Sequence, residues 1–285
     1  MKRILLLTDF SDTSRTAIRY ALQMYKDHDC EFMVLNGFVG VPEASNYLDA
    51  QLYQTYKAQI DEYVGELRQA YVNERHSFEG ESVDGNLFIA ISELHNQKPF
   101  DLVVVGATGS GKSVRLGSVA TEIIRTAPCE VLVVPASVKV KRIENIVIAT
   151  DYSNFQSVAI FEPIKEIVEK DFTKLTFLSI LAYNDSVQEL SAEGLAELNA
   201  YFDGLDPLHY YIKETSPIEG IEEYLSIHHT DLMVTVSHNR SLWDVILNRS
   251  TSRILAYQAE VPLLVLFEGK QKTEGDLSPS EWNII

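Results

Sequence analysis

The sequence predicts an α/β protein of two tandem units, each an open five-stranded parallel sheet flanked by helices. Three observations carry that expectation: segments of the chain repeat in order, the repeated segments are continuous aliphatic runs, and helical periodicity fills the gaps between them. The repeat comes first, because it sets the plan for everything local. Ile4–Ser11 (ILLLTDFS) returns as Ile146–Ser153 (IVIATDYS), an offset of 142. Asp101–Val105 (DLVVV) returns as Asp231–Thr235 (DLMVT), an offset of 130. Ala127–Val134 is echoed by Ala259–Leu266, an offset of 132. The drift places a loss of about a dozen residues before the fourth strand of the second copy, and a loss of two between Asp101 and Ala127 in the first.

The elements follow in order. Residues 3–8, 31–35, 101–105 and 130–134 carry continuous, mostly β-branched and aliphatic runs after a charged first residue, the habit of strands buried on both faces of a parallel sheet. Tyr53, Tyr56, Ile60, Tyr63, Leu67 and Tyr71 recur at three- and four-residue spacing, the stripe of an amphipathic helix lying on a sheet. The second copy repeats the order with strands near 145–149, 174–181, 208–213, 231–236 and 262–267. Strands alternating with helices give a covered parallel sheet with right-handed crossovers. Ligands of such sheets sit outside the carboxyl ends of the strands, at the switch point. The expected division is 1–138, a basic linker at Ser137–Arg142, 143–268, and a polar tail over 269–285 that ends with Trp282, Ile284 and Ile285.

Charge narrows the function. The chain of 285 residues carries 24 Lys and Arg against 41 Asp and Glu, a net −17. A surface so acidic repels phosphate backbones and anionic lipid, so nucleic-acid and membrane partners are not expected. Cys30 and Cys129 are the two cysteines and form no C-x-x-C pair, which points away from a disulfide framework or a cysteine zinc site. The apolar run Ile4–Leu7 is too short for a signal h-region, and no stretch nears the ~20 apolar residues of a membrane span. A soluble, cytoplasmic protein is expected.

The chemistry is concentrated where the first copy's fourth strand runs into Gly106-Ala107-Thr108-Gly109-Ser110-Gly111-Lys112-Ser113. Glycines there let backbone N–H groups converge on an anion, and the following helix N-terminus adds its partial positive charge. Residues 106–126 carry Lys112, Arg115 and Arg125 against Glu122, an island of +2 in an acidic chain. Taken literally, Gly106-x4-Gly111-Lys112-Ser113 satisfies the P-loop pattern. Its context argues otherwise: it follows the fourth strand, only one helix and one strand remain, and Gly117 would interrupt the required helix.

The duplicated plan, Thr8-Asp9-Phe10-Ser11 after the first strand, and Gly106-x2-Gly109 followed by Gly117-Ser118 together resemble the universal stress protein family, in a tandem form covering about residues 1–268. That resemblance implies two Rossmann-like (adenine nucleotide alpha hydrolase-like) domains and an ATP-binding signature G-x2-G-x9-G-[ST]. Here the second gap is seven residues, Ser110 to Leu116. The implied ligand is ATP, with AMP or ADP as alternatives and Mg2+ as a companion ion. By the same resemblance Thr8 and Asp9 meet adenine or ribose, and the chain around Gly37 offers backbone to the adenine edge. Gly106 and Gly109 approach ribose and phosphates, with Gly111 and Lys112 on the same loop. Gly117, Ser118 and Val119 donate to the phosphates.

The second copy keeps Asp151, but Ser237-His238-Asn239-Arg240-Ser241 and Asn248-Arg249-Ser250 stand where the glycines were. A nucleotide is not expected there. By resemblance, strands 130–134 and 262–267 pair across a pseudo-two-fold axis, an intrachain pseudo-dimer to which a homodimer could be added. His228-His229 read as a solvated helix end, and no catalytic or metal-binding constellation is legible. The expected role is a stress-response regulator or chaperone-like factor that binds nucleotide rather than turning it over. A nucleotide-independent scaffold and a slow ATPase using Lys112 are the alternatives. The protein partner is not written in the residues.

Overall fold

The computed structural model describes residues 1–38, 46–107, 118–152, 155–171, 173–183, 186, 190–236 and 261–268. The loop carrying Gly109, Gly111, Lys112 and Gly117, its counterpart at 237–250 and the tail at 269–285 lie outside them.

The first half contributes β1 (Lys2–Leu7), α1 (Asp12–Met24), β2 (Cys30–Phe38), α2 (Asn46–Ala70), β3 (His76–Asp84), α3 (Leu87–Gln97), β4 (Leu102–Ala107), α4 (Ser118–Thr126) and β5 (Glu130–Pro135). The second half contributes β6 (Asn145–Ala149), α5 (Glu162–Asp171), β7 (Lys174–Leu181), α6 (Ala192–Tyr201), β8 (Leu208–Lys213), α7 (Pro217–Ile227), β9 (Leu232–Val236) and β10 (Leu263–Leu266). A 3-10 turn, Val158–Phe161, precedes α5. All ten strands form one sheet in the order β3-β2-β1-β4-β5-β10-β9-β6-β7-β8.

Every pairing within a half is parallel. The joint is antiparallel: Leu263 opposes Val133, Leu264 opposes Leu132 and Val265 opposes Val131, the strand pairing expected of 130–134 with 262–267. Helices cover both faces. Ile4 and Leu6 point toward α1 and α2, and the same core continues through Phe161, Ile164 and Phe202 of the second half. Leu5, Val103 and Val105 point the other way, onto Ile91 of α3 and Ile123 of α4, and the layer runs on to Tyr224 of α7. A strand with both faces in an apolar layer needs aliphatic residues at every position, which is why the central strands were legible.

Two differences from expectation have physical causes. β3 lies at the sheet edge, where its sequence HSFEGESVD buries only Phe78 and Ser82, so it carries no continuous apolar run. The tyrosine stripe does form a helix, but α2 ends at Ala70, before Tyr71. Ile60, Tyr63 and Leu67 are buried there while Tyr53 is 36% exposed.

Candidate functional site

In each half the strand order reverses direction between the first strand and the fourth, at β1/β4 and at β6/β9. These are the switch points, where crossovers leave on opposite faces and open a crevice at the carboxyl ends of the strands. Thr8 and Asp9 leave β1 at that crevice. β1 and β4 are in register with Leu6 opposite Val104, so two residues on, Thr8 and Gly106 emerge side by side.

The corner after β1 is tightly specified. The Thr8 N–H donates to the Leu35 carbonyl at 2.9 Å, and the buried Thr8 Oγ1 accepts the Phe10 N–H at 2.9 Å. Phe10 sits at φ +63°, a region costly for a residue with a Cβ and held here by its neighbours. Asp9 is exposed and accepts at Oδ1 from the Ser11 N–H (3.0 Å) and the Ser11 hydroxyl (2.5 Å). Ser11 in turn caps α1 by accepting from the Ser14 N–H at 3.3 Å. Partial burial raises the Asp9 pKa, but the hydrogen bonds from Ser11 and Ser14 outweigh it and hold the carboxyl below its ordinary value. The result is a fixed anion, suited to accepting from a hydroxyl or an amine of a ligand.

Gly106 has a structural reason as well. A Cβ there would stand 2.9 Å from Thr13 Cγ2 and 3.2 Å from the Ser14 backbone N. Only glycine lets the end of β4 close on the first turn of α1. At the end of β2, Gly37 is exposed and lies in register with Val83. Beside it, Asn36 is 3% exposed. The Asn36 Nδ2 donates to the Thr8 carbonyl at 2.8 Å, while its Oδ1 has no partner among the described residues, an unmet acceptor beside the crevice. Its neighbour was expected to offer backbone groups. That the Asn36 side chain ties the ends of β1 and β2 together was missed, although a lone amide in an aliphatic strand was the available signal. Ser118 opens α4 and Val119 follows it, 41% exposed.

The second half repeats the corner and then departs from it. Tyr152 lies at φ +61° and its N–H donates to Thr150 Oγ1 at 3.0 Å, as Phe10 does to Thr8. The Ser179 hydroxyl donates to the Thr150 carbonyl at 2.7 Å, as Asn36 does to that of Thr8. Yet α1 begins three residues after Asp9, whereas α5 begins eleven after Asp151. Val236, buried, occupies the position of Gly106. The first turn of α6 presses on the corner so closely that a Cβ on Gly194 would lie 1.8 Å from the Tyr152 carbonyl oxygen.

The minor candidates also resolve. Cys30 opens β2 and is buried, and Cys129 directly precedes β5. Burial pushes both thiols up to about 12, which makes them inert at neutral pH. His228 caps α7 and stacks on Tyr224 at 4.5 Å, and the His229 Nε2 lies 2.9 Å from the Asp231 Oδ1. The pair does close a helix as expected, with His229 exposed, but both rings also have partners. Among the described residues there is no cluster of three or more metal-binding side chains and no helix long and apolar enough to cross a membrane.

Comparison with known proteins agrees with this geometry. A universal stress protein from Archaeoglobus fulgidus superposes with a TM-score of 0.71 at 18% identity, covering 94% of this chain and 98% of that one. A functionally unknown protein from Pseudomonas aeruginosa superposes with a TM-score of 0.63 at 14% identity, covering 94% and 93%. Both therefore share the whole ten-stranded plan. In sequence, a universal stress protein of Methanocaldococcus jannaschii is 32% identical over 141 residues, 47% of this chain and 81% of that protein. The pattern of the Universal stress protein family itself matches residues 1–135. With the fold, the β1 corner and these likenesses in agreement, the chain belongs to the universal stress protein family.

Proposed function

We propose that the first half binds an adenine nucleotide, ATP first among them, in the crevice between β1 and β4, and that the second half does not. The observation that carries the reading is a fixed anion beside a glycine-terminated strand at a switch point. Asp9 is held ionised by Ser11 and Ser14, and Gly106 emerges beside it against the capped start of α1. An anion at this place accepts from ribose hydroxyls, and Asn36 Oδ1 offers a buried acceptor to an exocyclic amine. The glycine-rich segment that follows, with Lys112 and Arg115 in a chain of −17, supplies N–H groups and positive charge to phosphates. In this reading Gly117, Ser118 and Val119 donate to the phosphates, with Ser118 and Val119 opening α4, and Mg2+ accompanies the triphosphate.

The second half supports the contrast. Val236 stands at the position that Gly106 holds in the first, and α6 lies close against Tyr152. Its role is structural, as the partner of β5 in the intrachain pseudo-dimer. The mechanism is ligand-dependent ordering: nucleotide bound between Asp9 and the 106–119 segment changes a surface that a protein partner reads in the stress response. The size of that change is set by the ligand's differential affinity for the two states.

Calorimetry with ATP, ADP and AMP tests this. The wild type should give one site per chain. Gly109→Val, which blocks the phosphate segment, and Asp9→Ala should each weaken it at least tenfold, about 1.4 kcal/mol. Negligible heats with the wild type would refute the reading and favour a nucleotide-independent scaffold. Turnover abolished by Lys112→Ala would favour a slow ATPase.

A further inference from the structure

At the amino ends of the strands, opposite the two crevices, the halves meet again through side chains. Most polar groups there are matched. The Tyr20 hydroxyl of α1 donates to the Asp231 carbonyl at 3.0 Å. The Asp231 carboxylate accepts from the Glu144 and Asn145 N–H groups, both at 3.0 Å, and pairs with Lys141 of the linker at 2.8 Å. Lys2 Nζ, at the start of β1, lies 2.7 Å from Glu166 Oε2 of α5. His28 is not matched. It sits in the turn between α1 and β2, 7% exposed, and neither ring nitrogen has a hydrogen-bond partner among the described residues.

Charge from both halves faces this ring. From α5 of the second half, Glu166 Oε2 approaches Nε2 at 4.0 Å, beyond hydrogen-bond reach and already shared with Lys2, and Lys170 adds a positive charge. From the first half come Lys2 and Asp27, the latter exposed and 3.8 Å from Lys26. Tyr25 meets the ring edge-on with centroids 5.5 Å apart. Arg75 and His76 reach the carbonyls of Asp27 and Tyr25, and Glu130 and Asp101 share the field of Lys2 and Glu166. A neutral imidazole already leaves a donor and an acceptor unmet here. A second N–H and a positive charge would leave more. Burial, then Lys170 and Lys2, outweigh Glu166 and Asp27 and hold the imidazole below its ordinary pKa.

We infer that His28 is a proton-operated latch on the joint: neutral, it lets α5 close on the start of β1, and protonated, it favours release of α5 so that water reaches the ring. In the opened state both nitrogens are hydrated, whereas the closed state offers a protonated ring Glu166 alone, whose Oε2 is committed to Lys2. Histidine is the side chain whose ordinary charge change falls between pH 5 and 8. The closed state takes up its proton at a lower pH than the opened state, where the ordinary value is 6.5. Closure therefore weakens as pH falls through 6.5, and the loss is complete below the closed-state value. The latch is independent of the nucleotide reading, since it shares no residue with it.

Native-state hydrogen exchange on the full chain reads such an opening. His28→Phe keeps a ring against Tyr25 but has no titrating nitrogen, and His28→Gln is a second uncharged replacement. The ratio of α5 amide opening in the wild type to that in either variant should rise severalfold from pH 7 to pH 5, with one proton capping the rise at tenfold per pH unit. In the wild type, the His28 Cε1–Hε1 resonance, assigned through its own backbone amide, should titrate with a midpoint below 6.5. Glu166→Gln, which removes the one carboxylate near Nε2, should lower that midpoint further. A midpoint at or above 6.5 would mean that Glu166 captures the proton and tightens the joint. That result, or a ratio that stays flat with pH, would overturn the inference.

Discussion

Ser11 does two jobs with one hydroxyl: it accepts from the Ser14 N–H as the cap of α1 and donates to Asp9. Ser11→Ala should cost about 1 kcal/mol of stability by denaturant unfolding and also weaken nucleotide binding, since Asp9 loses its strongest donor. Glu130, at the start of β5, carries a different consequence. Burial pushes its carboxyl up to about 8, with Lys2 opposing and Asp101 and Glu166 adding to the rise. The folded protein then holds a proton that the unfolded chain releases above pH 4.5, so stability falls as pH climbs from about 5 to 8. Glu130→Gln should flatten that fall, by up to about 1.4 kcal/mol per pH unit, in unfolding curves across this window. Asp9 and Asp231, both held below their ordinary values, act oppositely and lose their contribution as pH drops through the acidic range.

Among the elements, legibility followed the local run of apolar and β-forming residues. β1, β4, β6 and β9 lie in the middle of the sheet with apolar layers on both faces, and each was visible as an aliphatic run. β3 was not, because HSFEGESVD has no such run, whereas β8 at the opposite edge keeps Tyr210, Tyr211 and Ile212 together and was read. Asp9 and Gly106 were legible as candidates because each lies at the carboxyl end of a strand. Asn36 was not, because its role depends on the Thr8 carbonyl 28 residues away. The left-handed Phe10 and Tyr152 had no composition signal at all. The pinched contact at Gly106 gives an element-scale prediction: Gly106→Val should destabilise by about 1–3 kcal/mol and abolish nucleotide binding, both by pushing the end of β4 off α1. Val236→Gly in the second half should not restore a site, because α6 still lies against Tyr152. Calorimetry on that variant checks it.

At the scale of the molecule, the two halves are bound by strand pairing, by the Lys2–Glu166 ion pair at 2.7 Å and by the linker network around Asp231. Unfolding should accordingly be a single cooperative transition, read by coincident circular dichroism and fluorescence curves. Residues 1–138 alone would leave Val131, Leu132 and Val133 as a bare apolar edge strand. Such an edge seeks a partner, so that fragment should elute as a dimer or larger in light-scattering chromatography, where the full chain would not need to.

A two-fold assembly of separate copies falls apart on dilution and must use the same surface twice. Here β5 and β10 are tethered by the chain itself, so each finds the other at a fixed, high effective concentration whatever the abundance of the protein in its surroundings. Covalent linkage also frees the two halves from being identical, which is how α1 can follow its strand closely in one while α6 lies against the corresponding corner in the other.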